Sequence, residues 1–197
     1  YEAHSAGLVH RDIKGQNVFI TTRGGEQDIV KVLDFGLVRE IADTDNSMID
    51  NVSGTPKYMS PESVTRPREV DHRTDIYAVG ILAFYMLTAE YPFTGSTPIA
   101  ILMQHVNDNP PRVSSLNFKV SAELEAIVMK CLEKDPQDRF QTTKEMSDAL
   151  DKCDEGSWRS GDAEQWWSKN NTLIEGSDSS IRIEHDIERT IQIELGD

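Results

Sequence analysis

The chain has 197 residues, 38% of them hydrophobic, and carries a formal net charge of −14. This length and composition suit a well-packed globular domain. The negative charge argues against nucleic acid and against an anionic membrane surface as partners, since both would repel the chain. The sequence has no long apolar run and no signal-peptide pattern, which favours a cytoplasmic location without a membrane segment.

The first predicted elements are the end of a helix and a β-hairpin. Residues 1–7 are typical of a helix end. Residues 18–21 and 29–33 are rich in β-branched side chains and are separated by a stretch that contains Arg-Gly-Gly, which predicts two strands joined by a turn. This hairpin would hold its flanking residues, Asn17 and Asp34, at adjacent strand ends.

The middle of the chain is predicted to be helical. Residues 75–89 are apolar on nearly every side, which predicts a central helix that is buried all round. Residues 98–106 predict a further helix. Ser121 is placed to cap a third helix, and Thr142 with Glu145 forms the capping-box pattern of a fourth.

The two cysteines predict structural thiols rather than a metal site. Cys131 and Cys153 lie 22 residues apart, which matches no common metal-ligand spacing. Both fall on apolar faces of the predicted helices, so we expect both side chains to be buried.

A change in composition near residue 150 marks the start of a tail. Residues 151–197 hold 12 acidic and 5 basic residues, a net −7, which is half of the total charge in under a quarter of the chain. The tail contains three tryptophans, which we expect to pack against the preceding domain: Trp158, Trp166 and Trp167. In residues 181–195 the isoleucines match both a strand period and a four-residue helical step, and their β-branching favours a strand.

Three short motifs occur in one order along the first third of the chain. They are His10–Asn17 (HRDIKGQN), Asp34–Gly36 (DFG) and Gly54–Glu62 (GTPKYMSPE). Any one of them alone has a simpler interpretation, because Asp and Asn are common in turns. Together, they resemble the catalytic loop, the metal-binding loop and the substrate-docking segment of protein kinases. The surrounding sequence is most similar to bacterial serine/threonine kinases of the eukaryotic type.

The resemblance implies a mainly α fold, that of the large C-terminal lobe of a kinase domain, over residues 1–153, with a short β-hairpin near the active site. Residues 154–197 would form a separate acidic tail. In the family, a small sheet-rich lobe precedes this region and supplies a Gly-rich loop and a lysine that grip the phosphates. No Gly-rich phosphate loop occurs in these 197 residues. We therefore expect this chain alone to be an inactive fragment.

The resemblance also implies the chemistry of the site. Asp12 resembles the base that orients the incoming hydroxyl group, and Lys14 would place a positive charge beside the migrating phosphoryl group. Asn17 and Asp34 supply oxygen ligands suited to Mg²⁺ that bridges the phosphates of ATP. Phe19 would lie under the adenine ring.

The substrate-docking segment implies protein substrates. By resemblance, Val52, Pro56 and Met59 would line an apolar pocket for the substrate residue that follows the phosphoacceptor. Lys14 and Thr55 favour serine or threonine as the phosphoacceptor, because tyrosine kinases usually place other residues at both positions.

Residues 37–53 are polar and aperiodic, which predicts a loop, and by resemblance this loop is the activation segment. Arg11 directly precedes Asp12, an arrangement typical of kinases that are switched by a phosphate on this segment. Ser47 and Thr44 are the candidate phosphorylation sites. Alternatively, the aspartates of the same segment already supply the charge, and no switch is needed.

Further residues have structural roles by resemblance. Asp75 would tie down the backbone of the catalytic loop, although a charge at a helix start is common in itself. Arg139 would pair with Glu62 and pin the docking segment to the helical core. The remaining motif residues with structural roles are His10, Phe35 and Gly36.

Two alternative functions remain open from the sequence. A small-molecule phosphotransferase shares the catalytic and metal-binding aspartates, but it lacks a docking segment such as residues 54–62. A non-catalytic scaffold would keep the lobe for interactions, yet the intact motif residues argue against a loss of chemistry. Gln16 and Tyr85 stand where arginine-directed kinases place glutamates, which argues against a preference for basic substrates.

Overall fold

The computed structural model describes residues 1–34, 55–153, 156, 158–175 and 189–192. The chain divides into two compact units. The helical unit consists of Tyr1–Lys14 with Asp34–Glu155, and the hairpin unit consists of Gly15–Leu33 with Gly156–Asp197. Among the described residues, no helix is both long and apolar enough to cross a membrane.

The regular secondary structure described in the helical unit consists of helices, and the mainly α fold is confirmed. Its described α-helices are α1 (Glu2–Ser5), α2 (Pro61–Thr65), α3 (Arg73–Thr88), α4 (Pro98–Asn107), α5 (Val113–Leu116), α6 (Ala122–Cys131) and α7 (Thr143–Leu150). Short 3-10 turns at Pro56–Tyr58 and Pro67–Glu69 precede α2 and α3.

Helix α3 forms the core of the helical unit, as its apolar sequence predicts, but it is not buried all round, because Met86 near its C-terminal end is 60% exposed. Ile76, Tyr77, Ile81 and Phe84 are completely buried. The helix begins two residues before the predicted start. It ends before Ala89, which adopts a left-handed backbone with φ of 58° and closes the last turn with its N–H.

Helices α3 and α6 approach each other closely at Gly80. A Cβ atom on Gly80 would lie only 2.6 Å from Cβ of Cys131, so the contact requires glycine. Cys131 is buried and packs with Ile76 and Phe140. Burial raises the pKa of its thiol to about 12, so the thiol stays protonated.

Two details of the predicted fourth helix are wrong. Helix α7 ends at Leu150 because the chain continues in tight turns, so Cys153 lies beyond the helix and is only half-buried. The Thr142 hydroxyl accepts from the Glu145 N–H at 3.1 Å, as expected for a cap. The Glu145 carboxylate, however, reaches one residue further back and accepts from Gln141 N–H at 2.9 Å, so the capping box is not reciprocal.

The hairpin unit combines a small antiparallel sheet with one long helix. Its described elements are β1 (Val18–Arg23), β2 (Glu26–Val32), α8 (Ser160–Glu175) and β3 (Arg189–Gln192). Strand β1 lies between β2 and β3 and pairs antiparallel with both. The strand preference inferred for part of the tail is therefore confirmed at β3.

The strands of the hairpin are longer than predicted because their turn is minimal. Gly24 and Gly25 both have positive φ, 59° and 89°, as a two-residue hairpin turn requires. These two residues form the turn itself, so strand pairing extends to Arg23 and Glu26.

Candidate active site

Asp12, Lys14 and Thr55 form one polar cluster in the helical unit. Lys14 Nζ lies 2.7 Å from Oδ2 of Asp12 and donates to Oγ1 of Thr55 at 3.4 Å. The Asp12 and Lys14 side chains remain partly accessible. The lysine therefore bridges the catalytic-loop motif and the start of the docking segment, and it presents a carboxylate and a cation side by side.

The backbone that precedes Asp12 is held by Asp75. The carboxylate of Asp75, in the first turn of α3, accepts from the N–H groups of both His10 and Arg11 at 2.8 Å. Arg11 has a φ of 65°, a conformation that costs free energy for any residue except glycine. Two hydrogen bonds to a buried carboxylate offset that cost and fix the loop immediately before Asp12.

His4 is a site residue that the sequence did not reveal. Its Nε2 atom lies 2.8 Å from Oδ2 of Asp75, and its ring lies 5.3 Å from that of His72. His4 therefore contacts the same carboxylate that holds the catalytic loop. In the sequence, His4 is only a histidine at the end of a short predicted helix, and no motif there indicates a role in the site.

His10 and Asp12 also contact each other directly. Nδ1 of His10 accepts from the N–H of Asp12 at 3.3 Å, and the His10 side chain is buried. The histidine thus supports the turn that carries Asp12.

The predicted magnesium ligands lie at the two ends of the hairpin sequence. Asn17 is buried at the end of a 3-10 turn, Gly15–Asn17, and its carbonyl accepts from the N–H of Leu33 at 2.9 Å. Asp34 follows Leu33 in the chain, is exposed, and has a φ of 55°. Phe19 is half-buried in strand β1.

The docking segment is anchored to the helical unit by its aromatic and hydroxyl groups. Tyr58 is buried, and its hydroxyl lies 3.1 Å from that of Tyr91. The buried Ser60 hydroxyl caps α2 and lies 2.7 Å from Thr74 Oγ1 in α3. Thr55, Pro56 and Met59, the predicted substrate contacts, are half-buried.

Arg139 and Glu62 form a buried ion pair, at the positions expected from the resemblance. Arg139 Nη1 and Nη2 donate to the two carboxylate oxygens of Glu62 at 2.8 and 2.7 Å. Arg139 also donates to the carbonyls of Arg73, Glu133 and Lys134, so its guanidinium is well satisfied. The pair links the helix that follows the docking segment to the loop before α7.

Five predicted site residues lie outside the described residues: Phe35, Gly36, Thr44, Ser47 and Val52.

Comparison with known proteins decides the family. The protein kinase domain matches residues 2–150, which include all three motifs and the helical unit's described helices. The chain belongs to the protein kinase family. Most of its described helices follow the docking segment in the sequence, and α5 and α6 pack against α3.

Several curated kinases are similar to this chain. Serine/threonine-protein kinase PknB of Mycolicibacterium smegmatis is 41% identical over 156 residues, which are 78% of this chain and 24% of that protein. Probable serine/threonine-protein kinase SCO3848 of Streptomyces coelicolor is 40% identical over 156 residues, 78% of this chain and 22% of that protein. Probable serine/threonine-protein kinase CPE1738 of Clostridium perfringens is 35% identical over 150 residues, 76% of this chain and 21% of that protein. The chain thus spans less than a quarter of the length of these relatives.

Proposed function

We propose that this kinase transfers the γ-phosphate of ATP to serine or threonine residues of proteins. The observation that carries the proposal is the cluster in which Lys14 bridges the Asp12 carboxylate and the Thr55 hydroxyl. The names of the similar bacterial kinases support the same phosphoacceptor class.

The cluster suits the electrostatics of phosphoryl transfer. Asp12 orients the substrate hydroxyl and accepts its proton while the new oxygen–phosphorus bond forms and the bond to the bridging oxygen of ADP breaks. Lys14 offsets the negative charge of the phosphoryl oxygens, and its contact with Thr55 keeps the ammonium group in place. Asp75 keeps Asp12 in position through the backbone.

The donor set of Asn17 and Asp34 fits Mg²⁺. Amide and carboxylate oxygens are hard ligands, and Mg²⁺ usually takes only one or two side chains together with phosphate oxygens and water. The ion supplies charge neutralisation for the phosphates of ATP. Phe19, in strand β1 just after Asn17, would contact the adenine.

Protein substrates would dock along residues 52–59. By the family resemblance, Val52, Pro56 and Met59 would line an apolar pocket for the substrate residue that follows the phosphoacceptor, and Gln16 and Tyr85 stand where arginine-directed kinases place glutamates. Lys57 is the cation of the described docking segment and lies 4.5 Å from the centre of the Tyr91 ring. We therefore expect neutral or acidic substrates to be preferred over basic ones.

Phosphorylation of the activation segment would control the kinase through Arg11. A phosphate on Ser47 or Thr44 carries close to two negative charges, which a guanidinium can bind with two hydrogen bonds. Mass spectrometry and kinetics test this in an active form of the kinase. If the Ser47→Ala, Thr44→Ala double variant keeps full activity while Arg11→Ala loses it, acidic residues are the partners and the phospho-switch is wrong.

A chimera tests the activity itself. Residues 1–153 replace the matching segment of the Mycolicibacterium smegmatis kinase, so that the residues upstream of the match supply the small lobe expected for the family. We expect the chimera to label casein with γ-labelled ATP, with the label on phosphoserine and phosphothreonine. Asp34→Ala should abolish the label, whereas Asp148→Asn, an exposed change on α7, should keep it.

Two results would contradict the proposal. One is label on phosphotyrosine alone, and the other is a folded chimera that binds ATP but labels no protein. The 197-residue chain alone should neither bind ATP at micromolar concentration nor transfer phosphate, because it contains no Gly-rich loop to cover the phosphates.

A further inference from the structure

Asp28 occupies an irregular position in strand β2. Thr21 pairs with Ile29 and Arg23 with Glu26, so Gln27 and Asp28 together lie opposite Thr22 alone. This is a β-bulge, and Asp28 has a φ of 58° within it. Bulges turn a side chain away from the direction that regular pairing would give it.

The Asp28 carboxylate accepts hydrogen bonds from two tryptophans of the tail. Trp158 Nε1 donates to Oδ2 at 2.6 Å, and Trp167 Nε1 donates to Oδ1 at 2.7 Å. The two donors lie on either side of the start of α8. Among the described residues, Asp28 forms no ion pair, so the indoles are its hydrogen-bonding partners there.

The apolar contacts around this carboxylate are incomplete. Ile20 and Val30 lie directly opposite each other in the hairpin ladder, and Val30 remains 59% exposed. A groove of about 320 Å³ remains between these residues, Asp28 and the side chains of Trp158 and Trp166. Trp158, which is 63% exposed, gains little from apolar packing here, whereas two charge-assisted hydrogen bonds to a single carboxylate fix the positions of both indoles.

We propose that residues 158–170 bind the hairpin as an intramolecular ligand. Asp28 is the latch, meaning that its carboxylate holds this segment in place through both indoles. Because both indoles depend on one carboxylate, they bind together and are released together. Trp167 is almost completely buried and Trp158 is 63% exposed, so the exposed indole helps to hold the buried one.

The latch also bears on the active site. The bulge fixes the register of β2 beyond Asp28, and that register brings the Leu33 N–H to the Asn17 carbonyl. Asp28 is in this sense a positioning residue for Asn17. This consequence rests on the proposed kinase function, whereas the latch itself does not.

Indole NMR signals of the ¹⁵N-labelled 197-residue chain test the latch directly. The chain has three tryptophans, and Trp166, whose indole N–H has no acceptor among the described residues, is the internal reference. Asp28→Gly keeps a residue that tolerates the positive φ of the bulge but removes the carboxylate. We expect it to raise the hydrogen-exchange rates of the Trp158 and Trp167 indoles by about tenfold or more.

Single tryptophan variants test whether the two indoles act together. Trp158→Phe should raise the exchange rate of the Trp167 indole about as much as Asp28→Gly does, while Gly161→Ala, a control in α8 where no atom lies within 4 Å of the added methyl group, should leave it unchanged. Unchanged exchange of both indoles in Asp28→Gly would overturn the latch. Unchanged exchange of Trp167 in Trp158→Phe would overturn the coupling.

The same spectra separate the latch from its consequence for the site. Faster exchange of the Leu33 amide in Asp28→Gly, with unchanged amide signals for residues 61–150, supports positioning of Asn17 through the register. An unchanged Leu33 amide together with released indoles would overturn the positioning role and leave the latch standing. Neither readout requires kinase activity, so a failed kinase assay would not bear on the latch or on the positioning of Asn17.

Discussion

Arg139 and Glu62 lie 77 residues apart in the sequence and are joined by two hydrogen bonds of 2.8 and 2.7 Å. Both side chains are buried. The pair connects the end of the docking segment to the loop before α7. If either side chain is removed, the other remains as an unpaired buried charge.

We expect Arg139→Met to destabilise the fold by about 3–5 kcal/mol, because Glu62 would remain as an unpaired buried charge. Urea unfolding of the chain measures this. The double change Arg139→Met with Glu62→Leu should recover part of the loss, but not all, since the carbonyls bound by Arg139 also lose their donor. Lys144→Ala, which breaks an exposed pair on α7, should not change the unfolding midpoint measurably.

Asp75→Ala should reduce kcat by about 10²-fold in the active chimera, because the backbone before Asp12 loses both of its anchors. The KM for ATP should change little, since Asp75 is expected to touch no nucleotide. Steady-state kinetics separate the two values. Asp71→Ala, a nearby aspartate that pairs with Arg73 at the start of α3, is the matched control. Equal losses in both variants would show that the effect is general destabilisation.

Gly80→Ala should destabilise the helical unit by about 1–3 kcal/mol, because its new methyl group would meet Cβ of Cys131 at 2.6 Å. Thermal unfolding followed by circular dichroism measures the change. Gly161→Ala in helix α8 adds the same methyl group where no atom lies within 4 Å, and it should be neutral or stabilising. A stable Gly80→Ala variant would mean that α3 and α6 do not pack as closely as described.

His105 should make the fold sensitive to acid. Burial, with a smaller effect of the Lys134 charge, lowers the pKa of His105 to about 4, and its Nδ1 atom lies 2.8 Å from the Tyr77 hydroxyl. Burial raises the pKa of Tyr77, so the hydroxyl stays protonated beside the neutral imidazole. Between the unfolded pKa of about 6.5 and the folded value, the unfolded state binds more protons.

The free energy of unfolding should therefore fall as the pH drops from about 6.5 to 4, with about 3 kcal/mol of that loss due to His105. Urea unfolding at several pH values measures the slope. His105→Asn should be less stable at neutral pH but should lack this part of the slope. An identical pH slope in the variant would contradict the assignment.

The motifs predicted much of this site because each one is local. Asp12 and Lys14 are two residues apart, so their proximity follows from the catalytic-loop motif alone. The link between Arg139 and Glu62 was predicted only through the resemblance, because no local pattern relates residues 77 positions apart. Helix α3 was predictable because its sequence is apolar on nearly every side, and a helix of this kind is normally buried in a core.

Other features depend on contacts between residues that are far apart in the sequence, and no local pattern predicts such contacts. Asp28 is an ordinary polar residue in the sequence, and only the bulge and two distant indoles give it a role. His4 contacts Asp75 across 71 residues, with no motif at either end to connect them. Cys153 was misplaced because apolar spacing continued past Leu150, whereas the backbone had already left the helix.

The rate of the Asp12→Asn variant tests the central proposal most directly. In the chimera with the upstream small lobe, kcat for transfer from ATP to a serine-containing protein substrate should fall by about 10²–10⁴-fold, the range for loss of a positioned acid/base group. The variant should keep its ATP affinity and its unfolding midpoint, and Asp148→Asn should match the parent. A kcat for Asp12→Asn within about twofold of the parent would contradict the assignment of Asp12 as the base of this site.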